Sequence, residues 1–157
     1  MMGATHAIVG MVAGMMIATY AHAAPAQVLF LGGVSALAAL LPDIDHPNSS
    51  LRQRMGVAGH VAFFWLPHRG ITHTLIALAM VSAVTLYFLP LQVAFAFISG
   101  YASHLLADSL TRSGVPLVWP LLNYRYGFRM MSTGGLFEQI INLICLGIIG
   151  WMVVSML

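Results

Sequence analysis

The sequence predicts an all-α, polytopic integral membrane protein, a single membrane-embedded domain over residues 1–157 folded as a bundle of about five transmembrane helices. Three observations lead there. Hydrophobic residues make up 60% of the chain and charged residues only 6%, whereas a soluble domain carries roughly a quarter charged and needs them to cover its surface. The charged side chains, six Arg and four acids with no Lys, all fall in two windows, Asp43 to Arg69 and Asp108 to Glu138. The uncharged stretches Ala7–Ala21, Ala26–Leu41, Ile71–Leu89, Leu91–Ala107 and Leu136–Leu157 are apolar all round, without the polar face that a helix of a soluble bundle would show.

The first stretch could be taken for an export signal, because Ala21-His22-Ala23-Ala24 resembles a cleavage site. It lacks the basic n-region such a signal needs, so the sequence predicts a retained span paired with Ala26–Leu41 across Pro25. Both runs fall short of the roughly 20 residues of a spanning helix and must borrow flanking residues. Pro90 divides Ile71–Leu89 from Leu91–Ala107 in the same way and predicts a second helical hairpin. In the last stretch Cys145 stands alone, which excludes a disulfide framework and a Cys-based metal motif and makes it a packing residue. Met15, Met16, Met130 and Met131 are expected to fill gaps rather than bind copper.

Orientation follows from arginine. Arg52, Arg54 and Arg69 lie in one long loop and Arg112, Arg125 and Arg129 in the other, and a hairpin over Ile71–Ala107 brings both loops to one face. The positive-inside rule makes that face cytoplasmic. Five spans then place the N-terminus inside and the C-terminus outside. A net charge of +2 gives no basic footprint for nucleic acid.

Seven His residues are many for so apolar a chain, and their placement carries the chemistry. His6 opens the first span; Asp43, Asp45 and His46 follow the second; His68 and His73 bracket the start of the third; His104 and Asp108 close the fourth. The topology brings all eight to one face, with His22 at the other. His104 and Asp108, four apart on a helix, share a side and can hold one ion together. Neutral imidazole and carboxylate suit Zn²⁺, and also Mn²⁺ or Fe²⁺. An ionisable residue in a membrane segment asks for a partner or a function, and a metal supplies both.

In Leu41-Pro42-Asp43-Ile44-Asp45-His46-Pro47 the two prolines predict an extended, rigid turn. In His68-Arg69-Gly70-Ile71-Thr72-His73, Gly70 suits a tight turn and Thr72 is a possible cap for the third helix. His60, in mid-loop, is expected to be solvated or packed. Glu138 suits the N-terminus of the last helix electrostatically and is equally able to face the site.

These two motifs, with Gly100-Tyr101-Ala102-Ser103-His104-Leu105-Leu106-Ala107-Asp108 and Gly114-Val115-Pro116-Leu117-Val118-Trp119-Pro120, resemble the YdjM-like family of LexA-regulated, inner-membrane-associated proteins grouped as metal-dependent hydrolases. The likeness runs from His6 to about Glu138. It implies a distant similarity to zinc-dependent phospholipase C, and with it a ligand set of His6, Asp43 or Asp45, His68 or His73, His104 and Asp108. No second His-x-x-x-Glu/Asp follows Asp108, which implies one or two ions rather than three.

The resulting expectation is hydrolysis of a phosphate ester at the cytoplasmic membrane surface, with a lipid headgroup or lipid-linked phosphate as substrate. Asp45 would act as general base, and Arg69, with Arg112 second, would clamp phosphate oxygens through paired hydrogen bonds. The rival is a non-enzymatic membrane protein whose metal is structural, sensing or transported. Ligands at span ends rather than at the midplane speak against a transporter, and the absence of His-Glu-x-x-His speaks against a zinc protease.

Overall fold

The computed structural model describes residues 1–45 and 70–157. Within them the chain is all-helical, with five α-helices and no strand: α1 (Gly3–Tyr20), α2 (Pro25–Ala38), α3 (Leu75–Phe88), α4 (Leu91–Ser109) and α5 (Leu136–Ser155). Short 3-10 turns at Pro42–Asp45 and Ile71–His73 follow α2 and precede α3. α1, α2 and α4 pack on one another, α5 lies against α1, and α3 lies against α4.

The helix ends have local causes. α1 stops where His22 takes φ of 54° and the amides of His22 and Ala23 bond back to Thr19 and Ala18, the pattern of a Schellman cap. Pro25 starts α2, where its missing N–H costs nothing, and the Gln27 side chain accepts from the Ala24 amide at 3.2 Å. α3 is shorter than the apolar run suggests, because Ile71–His73 forms its own turn. Its cap is Thr74, whose hydroxyl accepts from the Ala77 amide at 3.1 Å, and not Thr72. The Pro42–Asp45 segment is likewise a helical turn rather than an extended one: Ile44 donates to Leu41, and proline fits the first residue of such a turn.

Close packing of α1, α2 and α4 rests on small residues. A Cβ at Gly14 would lie 2.4 Å from the Ser35 Cβ, and one at Gly100 would lie 2.0 Å from the Ser35 carbonyl oxygen. Glycine at both positions lets the three backbones meet around Ser35, as small residues do in membrane bundles. The Ser35 hydroxyl donates to the Gly10 carbonyl at 2.6 Å.

Polarity is inverted relative to a soluble bundle. Thr5, His6, Ser35, His104 and Asp108 are buried while Phe30, Leu37, Met80, Leu143 and Trp151 face outward. Gly3–Tyr20, Pro25–Ile44 and Leu136–Ser155 are each long and apolar enough to cross a membrane, and α3 is apolar but shorter. Met15 and Met131 are buried packing residues, Met16 and Met130 are exposed, and Cys145 is half-buried with its thiol free.

Between α4 and α5, the chain doubles back on itself. Val115 and Tyr126 exchange both backbone hydrogen bonds, at 2.8 and 2.9 Å. The Leu75 amide bonds the Leu117 carbonyl at 2.9 Å, tying this connection to the start of α3.

Candidate metal centre

α1, α3 and α5 begin, and α2 and α4 end, at the same end of the bundle, and there five of the predicted ligands meet: His6, Asp43, His73, His104 and Asp108. His6 sits in the first turns of α1. Asp43 sits in the turn after α2, and His73 in the turn before α3. His104 and Asp108 lie one turn apart near the end of α4.

The contacts are tight. His73 Nε2 and His104 Nε2 are 3.3 Å apart. Asp43 Oδ1 is 3.6 Å from the former and 3.8 Å from the latter. Asp108 Oδ2 lies 3.8 Å from His104 Nε2 and 4.0 Å from His73 Nε2. His6 stacks on His104 with ring centroids 3.7 Å apart, and its Nε2 is 3.1 Å from Asp108 Oδ1. Asp108 Oδ1 also accepts from the Met1 nitrogen at 2.5 Å.

Two overlapping groups, His6–Asp43–His104 and His73–His104–Asp108, have ligand atoms within 4.8 Å of one another. Four ligands at zinc-to-nitrogen distances of about 2.0–2.1 Å in a tetrahedron stand roughly 3.3 Å from each other, and the separations within the two groups start at 3.3 Å and extend to within 4.8 Å. Both ring nitrogens of His6 are buried without a well-formed hydrogen bond among the described residues, although Nε2 stands 3.1 Å from Asp108 Oδ1. A buried imidazole left so is costly, and an ion would satisfy one of its two nitrogens. The donor set therefore fits a divalent metal with nitrogen and oxygen ligands.

Surrounding groups fix the rings. His104 Nδ1 donates to the Ala39 carbonyl at 2.7 Å, which leaves Nε2 with its lone pair toward the cluster, the usual arrangement behind a metal-bound imidazole. His73 Nδ1 lies 3.0 Å from the Thr72 hydroxyl, and the Tyr101 hydroxyl donates to the Thr72 carbonyl at 2.5 Å. The family motif on α4 thus has a division of labour: Gly100 packs on α2, Tyr101 holds the His73 turn, and His104 and Asp108 face the cluster. Neither Ala39 nor Tyr101 was expected at the site. A backbone carbonyl leaves no trace in sequence, while Tyr101, three residues before His104 on the same helical face, had a readable signal.

Glu138 resolves to a helix-end role. Its oxygens accept from the amides of Met2 and Gly134, both at 2.6 Å, and it belongs to neither ligand group. His46, His60, His68 and Arg69 lie outside the described residues, as does the side chain of Asp45, whose backbone ends the turn after α2. Arg112 is exposed on the α4–α5 connection.

Inverted polarity and a buried His/Asp cluster at one end define a helical membrane protein with residues able to hold a metal ion. The chain belongs to the YdjM inner membrane protein family, whose model matches residues 1–156. It is 38% identical over 126 residues to the inner membrane protein YdjM of Escherichia coli and to that of Shigella flexneri, the match covering 74% of this chain and 62% of each relative. The chain thus spans less than two thirds of these relatives' length. It is also 29% identical over 143 residues to the protein YvsG of Bacillus subtilis, covering 90% of this chain and 87% of that one. A likeness to phospholipase C is not among these matches, and no solved structure matches the chain.

Proposed function

We propose that this chain is a membrane-bound metal-dependent hydrolase of a phosphate ester, such as a lipid headgroup or lipid-linked phosphate, working at the cytoplasmic face of the inner membrane. The observation that supports it is the cluster itself. Five ligand side chains from four separate segments converge at one end of the bundle, and only Asp43, at 22% side-chain exposure, reaches its surface. A structural metal site is closed, while a catalytic one keeps an open position; the Asp43 side is where that position would lie.

His6, Asp43, His73, His104 and Asp108 would hold one or two ions, Zn²⁺ first, with Mn²⁺ or Fe²⁺ as alternatives. Zn²⁺ bound there supplies the chemistry of lowering the pKa of water from 15.7 to about 7 and polarising a phosphoryl oxygen. The chain's own residues do the rest. Ala39 keeps His104 in the tautomer that points its lone pair inward. The buried rings of His6, His73 and His104 exclude bulk water and strengthen every charge in the cluster. Asp45, two residues beyond Asp43, is assigned as general base, and Arg69 with Arg112 as the clamp on phosphate oxygens.

The topology that goes with this is a single domain of five spans. α3 and α4 form a hairpin across Pro90 like that of α1 and α2 across Pro25, and the polar residues of α4 other than Gln92 lie from its middle toward its site end. Arginine on the long loops supports a cytoplasmic position for that end through the positive-inside rule.

Metal analysis of the detergent-purified protein beside His104→Ala and Asp108→Ala variants, followed by a panel of soluble phosphoesters and lipid phosphates, tests the proposal. Metal bound by the wild type and lost in the variants, with turnover of at least one ester, is the expected result. Metal bound without turnover of any ester would leave the structural, sensing or transport alternative standing.

A further inference from the structure

We infer that the groove between α1, α4 and α5 at the metal-site end seats an acyl chain of an anionic phospholipid. The cavity has a volume of about 300 Å³ and its lining, including Val9, Leu106, Ala107, Leu110, Phe128 and Ile141, is almost wholly apolar. Ligand sites run from about 300 to 1,000 Å³, so a chain segment fits and a bulky solute does not. The rim residues Leu106 and Phe128 are exposed, as are Ile140, Leu143 and Ile144 alongside on α5, which makes the groove continuous with the surface that meets lipid.

Two further features select the headgroup. The groove backs onto the metal centre, because Met1 lines it and contacts Asp108, and Ala107 immediately precedes that ligand. At the mouth, the segments 109–112 and 128–131 pair through Phe128 N to Ser109 O at 2.8 Å, Met130 N to Leu110 O at 3.0 Å and Arg112 N to Met131 O at 3.0 Å. That pairing brings Arg112 and Arg129, both exposed, to the edge that Leu110 and Phe128 line. The fully described carboxylates are engaged elsewhere: Asp43 and Asp108 face the histidines, and Glu138 holds two backbone amides. Positive charge over an apolar slot complements a lipid with an anionic head. The seat stands on the groove and its charge, while a substrate role for the lipid held there rests on the hydrolase proposal.

The test is photolabelling of the whole chain in phosphatidylethanolamine–phosphatidylglycerol vesicles, using phosphatidylglycerol with a diazirine in its acyl chain and peptide mapping. Labelling of the groove should exceed that of the outward face of α3, around Met80 and Val84, by about tenfold, as a preference of 1.4 kcal/mol would give. Leu106→Trp with Ile141→Trp should remove the excess. Arg112→Glu with Arg129→Glu, on exposed positions that do not threaten the fold, should remove the tenfold excess, since each arginine is worth about fivefold, and should leave labelling by a phosphatidylcholine probe unchanged. Even labelling of all outward faces, indifference to the charge reversals, or chain-to-chain cross-links across the groove would each overturn the seat. A labelled groove in a protein that turns over no ester keeps the seat and removes the hydrolase.

Discussion

The Nδ1 atom of His104 donates to the carbonyl oxygen of Ala39 at 2.7 Å, so a candidate ligand side chain on α4 also satisfies the C-terminal end of α2. One residue thereby serves the fold and the cluster, and substitutions can separate the two. Asparagine reaches the position of Nδ1 and not that of Nε2. His104→Asn is expected to keep helix content and a monodisperse elution while losing metal affinity by more than the roughly 10–100-fold that changes behind a ligand cost. His104→Ala should lose both. Full metal occupancy in His104→Asn would show that this ring is no ligand.

Tyr101 acts on the cluster at one remove, through the turn that carries His73. Tyr101→Phe deletes the bond to the Thr72 carbonyl and is expected to weaken zinc binding by about tenfold, in line with other groups that orient ligands. Competition with a chromophoric chelator reads the change. An affinity equal to the wild type would mean the turn is held without it.

Gly100 and Gly33 give a paired test of the packing. A Cβ at Gly100 would strike the Ser35 carbonyl, whereas Gly33 has open space. Gly100→Ala should destabilise by about 1–3 kcal/mol or more, the cost of overpacking. Gly33→Ala should be neutral or gain up to about 1 kcal/mol from helix propensity. Thermal unfolding in one detergent measures both.

If the cluster holds the proposed metal, removing it should matter to the whole bundle, because the candidate ligands join α1, α4 and the turns flanking α2 and α3. An ion present at 100 times its dissociation constant stabilises by about 2.7 kcal/mol. A chelator is expected to lower the unfolding temperature of the wild type and leave that of Asp108→Asn unmoved. Equal shifts in both would place the metal elsewhere.

The proposed five-span topology predicts opposite labelling of the two ends. In a Cys145→Ser background, a cysteine at His22 should react with a membrane-impermeant maleimide added to intact spheroplasts. One at Ser113 should react only after lysis. The reverse pattern would turn the site outward.

The sequence carried the architecture because apolar runs, the two prolines and the clustering of charge are all one-dimensional signals. The five candidate ligands that meet, His6, Asp43, His73, His104 and Asp108, were brought together by topology, since each stands at a helix end that the hairpins bring to one face. Thr74 was missed as the cap because α3 begins a turn later than its apolar run, once Ile71–His73 closes on itself. Pro42 was expected to hold the chain extended, yet proline is as much at home opening a helical turn. Glu138 was open between two roles, and only the positions of the Met2 and Gly134 amides decide it.

That carboxylate joins the beginning of α1 to the beginning of α5, and toward the far ends of the same helices Met152 shares a buried cluster with Met15, Ala18 and Val28, with Ile148 and Met156 packed against it. The last helix is thus riveted twice, by a polar clasp at one end and an apolar one at the other. Spin labels at Thr5 and Asn142 and at Tyr20 and Trp151 should give equally narrow distance distributions; a broad one for the second pair alone would mean that the apolar rivet does not hold.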